Sequence, residues 1–281
     1  MVKIITDSSP MITKEEGAAM GIEVIPLSVN ISQEDYRDLE VDMDKFYQEI
    51  ANGGIPKSSQ PPIGEYVDAY NKYAAEGEVL NICMAHGLSG TYQTAKGARE
   101  LAENKENVTV LDSMTLCGPH RRLVEVAKEM ADKGHNVKEI VAALEEKMAT
   151  HYSFLIAQDY DYLRRGGRLT PLAAKFIGAL KMKPIVHLKY YEETGGRLDA
   201  YGVSRTLSGC IKKIADHFKE HGVGDGYLLS VSHARVPEDA KEVARLLKEK
   251  FATAEIEILD LSPAFVTQGG PGCIAIQCMK K

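Results

Sequence analysis

Through its first half this chain alternates short apolar runs with amphipathic helical stretches, and that rhythm leaves few folds open. Residues 2–5, 22–29, 79–85 and 108–111 read as strands. Pro26 interrupts the second of them and places it near a sheet edge, because proline has no N–H for a ladder. Thr13-x-x-Glu16 is a capping-box pattern opening a short helix that closes near Gly21. Met43, Phe46, Tyr47 and Ile50 recur at helical spacing behind Asp42 and stop at Asn52-Gly53. Ile63, Tyr66, Val67, Tyr70 and Ala74 repeat the pattern after Pro62, and further helices are predicted over residues 91–102, 121–132 and 137–148. Strands joined by crossover helices form a parallel sheet, which must be covered on both faces.

The second half changes rhythm. Residues 184–191 and 197–203 flank Glu193-Thr194-Gly195-Gly196, a hairpin signal. A helix over 206–221, a strand over 227–231, a helix over 238–251 and strands over 256–259 and 274–277 follow. Fewer crossovers beside a hairpin predict a mixed sheet with helices on one face. The fold class is therefore α/β with two domains, as a length of 281 residues also suggests. Residues 1–150 form a three-layer α/β/α parallel-sheet domain, and residues 151–281 form an α+β domain with a mixed sheet.

Composition excludes several functions. Net charge is −6 with a pI near 5.8, and no Lys or Arg run stands clear of acidic neighbours. No nucleic-acid partner is expected, and membrane contact is transient at most. Cys83, Cys117, Cys210, Cys273 and Cys278 contain no Cys-x-x-Cys pair, so they read as buried free thiols rather than a disulfide framework or zinc site. No metal and no cofactor is expected. The amino terminus lacks a signal-peptide pattern, and no apolar run approaches the ~18 residues of a membrane span. The expected location is cytoplasmic.

Candidate chemistry sits at strand ends and in glycine-containing loops. Asp7-Ser8 and Asp112-Ser113 each end a strand, where ligands of open α/β sheets bind, although Asp7 and Ser113 could equally cap the next helices. His86-Gly87-Leu88-Ser89-Gly90-Thr91 follows a strand and opens a helix. Ser89 and the N–H groups of Gly90 and Thr91 would face an anion at the positive helix end, or serve simply as a capped turn. The spacing fits neither a dinucleotide fingerprint nor a Walker loop. Residues 57–62 read as a polar linker carrying hydroxyls and an amide. Residues 163–168 form a basic cradle or a solvated helix end. The glycines of 267–272, Gly270 among them, permit close backbone approach.

Taken in order, these segments resemble the DegV family over essentially the whole chain. The matching elements are Ile5-Thr6-Asp7-Ser8-Ser9, Ser58-Ser59-Gln60-Pro61, Leu88-Ser89-Gly90-Thr91-Tyr92-Gln93, Asp112-Ser113, Gly166-Gly167-Arg168, Lys183-Pro184-Ile185, Arg205-Thr206 and Gly270-Pro271-Gly272. Leu-Ser-Gly-Thr-Tyr is the most specific. The resemblance implies a two-domain protein that binds a long-chain fatty acid, such as palmitate, stearate or oleate, between its domains. It also implies that the protein presents the carboxylate to a partner kinase without catalysis of its own. On that resemblance the ligand-binding residues are Ser58 (usually Thr in the family), Ser89, Gly90, Arg205, Gln268 and Gly270. The family usually has His where this chain has Gln268, and Gln donates a hydrogen bond without carrying charge. Two alternatives stay open: a hydrolase or transferase using Ser89 as nucleophile with His86 as base, and an interaction module holding a structural lipid.

Overall fold

Strand and helix take turns because each apolar run needs pairing and each amphipathic stretch needs a surface to cover. The computed structural model describes residues 1–176, 182–188 and 196–281. Its contacts divide into two units, Met1–Ala149 and Thr150–Lys281.

The first unit carries β1 (Lys3–Asp7), β2 (Glu23–Ile25), β3 (Ser28–Ile31), β4 (Glu34–Arg37), β5 (Lys57–Ser59), β6 (Val79–Cys83) and β7 (Val108–Asp112). A four-stranded sheet runs β2-β1-β6-β7, with every pair parallel. Alternate strand residues point to opposite faces. Ile5, Val79, Cys83 and Val108 pack with Tyr66, Ala69 and Tyr70 of helix Ile63–Ala74 and Ala95 and Ala98 of helix Thr91–Leu101. On the other face Ile4, Leu80 and Ile82 are fully buried, and helix Cys117–Asp132 packs on β1. Each such side chain contributes about 1.5–3 kcal/mol of burial free energy. The three layers expected of this half are present.

Two local expectations change. Residues 22–29 are not one strand, because the chain leaves the parallel sheet after β2. Pro26 offers no ladder donor, and the Leu27 N–H is taken by Ser8 Oγ at 3.1 Å. β3 instead centres a separate antiparallel sheet, β4-β3-β5, and residues 57–59, read as linker, become its edge. Thr13 does cap its helix, accepting from Glu16 N–H at 3.1 Å, and Gly21 closes it at φ 74°.

The second unit carries β8 (Tyr152–Ile156), β9 (Lys183–Leu188), β10 (Leu198–Ser204), β11 (Tyr227–His233), β12 (Glu255–Asp260) and β13 (Ile274–Lys280). They form a mixed sheet, β10-β9-β8-β13-β11-β12, in which only β11 and β12 are parallel. β9 and β10 pair antiparallel as expected, while the turn residues 193–195 lie outside the described residues. Phe154, Ile156, Ile185, Leu229, Val231 and Ile276 face the buried sides of helices Leu207–Glu220 and Pro237–Lys250. The expectation of helices on one face is corrected: Val186, pointing opposite to Ile185, packs with Leu163 and Ala173 of the short helices Tyr160–Gly166 and Pro171–Phe176.

All five cysteines are buried, and none is in a disulfide. Burial pushes the Cys83 and Cys278 thiols up, and that of Cys273 up to about 12. No helix among the described residues is long and apolar enough to cross a membrane.

Candidate functional site

β1, β6 and β7 are parallel neighbours, so their carboxyl ends and following loops gather at one edge. The loop after β6 runs from Met84 to the helix that Gly90 caps, Thr91–Leu101. Ser89 is half-buried there. Its Oγ lies 2.8 Å from Thr91 Oγ1 and accepts weakly from the Thr91 N–H at 3.3 Å. The exposed Gly90 faces the other polar loop: a Cβ built on it would stand 3.2 Å from the Gln60 side-chain oxygen. Two loops separated by thirty residues of sequence therefore meet, with Ser58 half-buried on β5 just before Gln60. The gathered groups are two hydroxyls, a carboxamide and a helix amino terminus. All can donate to an anion, and the aligned helix N–H groups add partial positive charge.

His86 joins this edge through a partner that sequence reasoning left unnamed. Its Nδ1–H donates to Asp112 Oδ2 at 2.7 Å, and its backbone N–H reaches Oδ1 of the same carboxylate at 3.2 Å. Cys83 and Asp112 are in register on β6 and β7, so a residue just past β6 falls beside Asp112. That register is the signal that could have paired them.

Asp7 and Ser113 are not helix caps. Asp7 is fully buried and accepts from the N–H groups of Ser9 and Met84, both at 2.8 Å. Ser113 Oγ donates to the Thr115 carbonyl at 3.2 Å, in the loop before helix Cys117–Asp132, whose cap is Leu116. The segment Thr6 to Ser9 is entirely buried and turned inward. Ser8 donates to Asp38 at 2.7 Å, and Ser9 Oγ meets His120 Nδ1 at 2.6 Å. These residues tie the sheet edge together, and they do not offer hydroxyls to solvent.

His120 is fully buried between Ser9 and the Ile82 carbonyl, which lies 3.3 Å from Nε2. A carbonyl only accepts, so the bonds assign Nε2–H as donor and Nδ1 as acceptor of the Ser9 hydroxyl in a neutral ring. Burial depresses its pKa, with Asp7 opposing. In the unfolded chain the ring titrates near its ordinary value of about 6.5. Below that pH the unfolded state binds the extra proton first, so stability is full above ~6.5 and lost as pH falls below it, by at most about 1.4 kcal/mol per pH unit. Urea unfolding from pH 7.5 to 5 is expected to show this slope, reduced in His120→Gln. Parallel curves for the two proteins would exclude the assignment.

In the second unit, Gly166 lies against the Gln268 side chain so closely that any Cβ would collide with the amide oxygen. Gln268 Nε2 donates to Thr267 Oγ1 at 2.9 Å. Gly270 adopts φ 76°, and a side chain there would also strike the Tyr162 ring at 2.9 Å. The structure thus brings Gly166 to Gln268 and Gly270 to Tyr162. Arg205 is exposed between β10 and the Thr206 cap and makes no hydrogen bond or ion pair among the described residues. Arg164 pairs with Asp161 at the surface and Arg165 lies 4.7 Å over the Tyr162 ring, so this end of helix Tyr160–Gly166 is a solvated one. Burial, and Arg197 nearby, lower the pKa of Arg168.

A parallel-sheet unit with paired polar loops at its carboxyl edge, followed by a mixed-sheet unit, defines a two-unit α/β protein. The DegV family model, described as "Uncharacterised protein, DegV family", matches residues 1–281, and the chain belongs to that family. A DegV domain-containing protein of Staphylococcus aureus is 30% identical over 99% of this chain and 98% of its own. The crystal structure of DegV, a fatty acid binding protein from Bacillus subtilis, superposes with a TM-score of 0.86 at 29% identity, covering 100% of this chain and 99% of that one. A DegV family protein from Thermus thermophilus, described by its fatty acid binding, gives 0.88 at 25% identity with the same coverage.

Proposed function

We propose that this protein binds one long-chain fatty acid and presents its carboxylate to a separate kinase subunit. The carrying observation is the full-length likeness to the Bacillus subtilis fatty acid binding protein, at a TM-score of 0.86. The meeting of the Gln60 and Ser89 loops supports it locally, since hydroxyls and N–H groups at a helix amino terminus suit a carboxylate. In this reading Ser58, Ser89 and the Gly90 N–H hold the headgroup. Arg205, Gln268 and Gly270 are likewise assigned to ligand binding in this reading.

Magnitudes assign different work to chain and headgroup. Burying a palmitoyl-length chain at ~0.8 kcal/mol per CH₂ contributes on the order of 12 kcal/mol gross, before association costs. Each charge-assisted hydrogen bond adds about 1.5–3 kcal/mol. The acyl chain supplies most of the affinity, and the polar loops supply orientation.

Protein purified from a bacterial host is expected to yield close to one long-chain fatty acid per chain on denaturing solvent extraction and mass spectrometry. Trace occupancy that stays low after incubation with free oleate would refute lipid binding.

One observation favours a second reading, in which Ser89 is a nucleophile. The 2.7 Å bond from His86 to Asp112 gives the imidazole the orienting carboxylate a catalytic base needs. Against it, Ser89 bonds Thr91 rather than an imidazole. Ester and phosphoester hydrolysis assays separate the two, and turnover abolished by Ser89→Ala would favour the enzyme.

A further inference from the structure

Far along the chain from the loops just described, helix Leu207–Glu220 ends in His217-Phe218-Lys219-Glu220-His221, with His221 as its cap. His217, Glu220 and His221 each bring one ligand-capable atom within 4.8 Å of the others. A four-residue spacing returns to the same face of a helix after about one turn, which is why the two imidazoles converge. Their rings stack with centroids 4.0 Å apart.

The surroundings prepare both rings for a metal. His221 Nδ1 lies 2.8 Å from the His217 carbonyl, which can only accept, so Nδ1 carries the proton and Nε2 keeps its lone pair. A ring N–H bonded to a backbone carbonyl is the usual support behind a metal-binding histidine. His217 is half-buried among Tyr152, Phe154 and Tyr201, whose rings meet it edge-on at 5.4, 5.1 and 5.3 Å. That packing restricts the imidazole before any ligand arrives. Glu220 is exposed on the last turn of the helix, with a carboxylate oxygen beside both imidazoles. A cation at this end of the helix also meets the negative pole of the macrodipole.

We propose that His217, Glu220 and His221 bind a divalent late first-row transition ion, with zinc the best match. The two imidazoles are borderline donors that select Zn²⁺ over Mg²⁺ or Ca²⁺, a carboxylate commonly completes such a two-histidine zinc set, and three protein ligands leave a fourth position for water. Metal bonds of about 2.0–2.1 Å in a tetrahedron place donor atoms roughly 3.3 Å apart. The exposed Glu220 side chain can swing toward the imidazoles without moving the helix. The buried cysteines do not compete, since burial raises the Cys273 and Cys278 thiols far from the thiolate form a metal needs. This ion-binding reading is independent of the lipid proposal.

Zinc titration of the full-length chain against a chromophoric chelator tests it. The wild-type protein is expected to take up about one equivalent of Zn²⁺, with affinity reduced about tenfold or more in Glu220→Gln and again in His221→Ala. Both side chains are exposed, so these variants keep the fold, which far-UV circular dichroism checks. Zn²⁺ is expected to raise the melting temperature of the wild type and leave that of His217→Gln/His221→Ala unchanged. Cobalt substitution is expected to give nitrogen–oxygen ligand-field bands without thiolate charge transfer. Substoichiometric uptake, unchanged affinity in both single variants, or a thiolate band would each overturn the site.

Discussion

Replacing Asp7 with alanine is expected to destabilise the protein by about 2–6 kcal/mol. Its fully buried carboxylate accepts from the Ser9 and Met84 N–H groups, each at 2.8 Å. Truncation leaves two buried donors without an acceptor, and each orphaned group costs about 1–3 kcal/mol. Asp7→Asn keeps one acceptor oxygen but turns an NH₂ toward the other donor, so its cost falls between wild type and alanine. Native domains are stable by only about 5–15 kcal/mol, so the alanine variant approaches unfolding. Urea midpoints for the three proteins at neutral pH measure the order. An alanine midpoint equal to wild type would mean that Asp7 does not organise this edge.

On the proposed function, Ser89→Ala and Arg205→Ala are each expected to slow partner-dependent phosphorylation of the bound acid about 10–100-fold while leaving lipid occupancy near wild type. Loss of one charge-assisted hydrogen bond, at about 1.5–3 kcal/mol, sets that range. In that reading binding survives because a buried acyl chain would dominate affinity, whereas transfer would require one oxygen held in a fixed geometry. Ser89 is half-buried at the head of helix Thr91–Leu101, and Arg205 is exposed before the Thr206 cap, so neither truncation opens a core. Extracted lipid per chain and single-turnover rates with a cognate kinase separate the two effects. Variants that keep both lipid and wild-type rates would place the carboxylate elsewhere. Variants that lose lipid would assign these side chains to affinity instead.

Much of the local architecture was legible because it depends on neighbours in sequence. Helix Val137–Met148 begins at Asn136 with a reciprocal Glu139 bond, and helix Ile63–Ala74 follows its apolar spacing. The misses share a cause. The break between β2 and β3 follows from Leu27 bonding Ser8, nineteen residues earlier. Residues 57–59 are a strand only because β3 lies beside them, as their polar sequence carries no strand pattern of its own. Helix Tyr160–Gly166 was legible only as a helix end at residues 163–168; its shortness hid where it starts, at the Asp159 cap.

By itself the sequence determined the α/β class, the parallel sheet of the first unit, the mixed sheet of the second and the family. Periodicity, capping residues and ordered motifs are all written within a few residues of where they act. Tertiary structure alone decided what the polar residues do. It turned Asp7, Ser8 and Ser9 inward, set Gln60 against Gly90, gave His86 its Asp112 and brought Gly166 onto Gln268. A hydroxyl or carboxylate reads the same in sequence whether it will meet a ligand or a buried N–H. Only the register of parallel strands and the path of distant loops determine which partner lies within hydrogen-bonding distance.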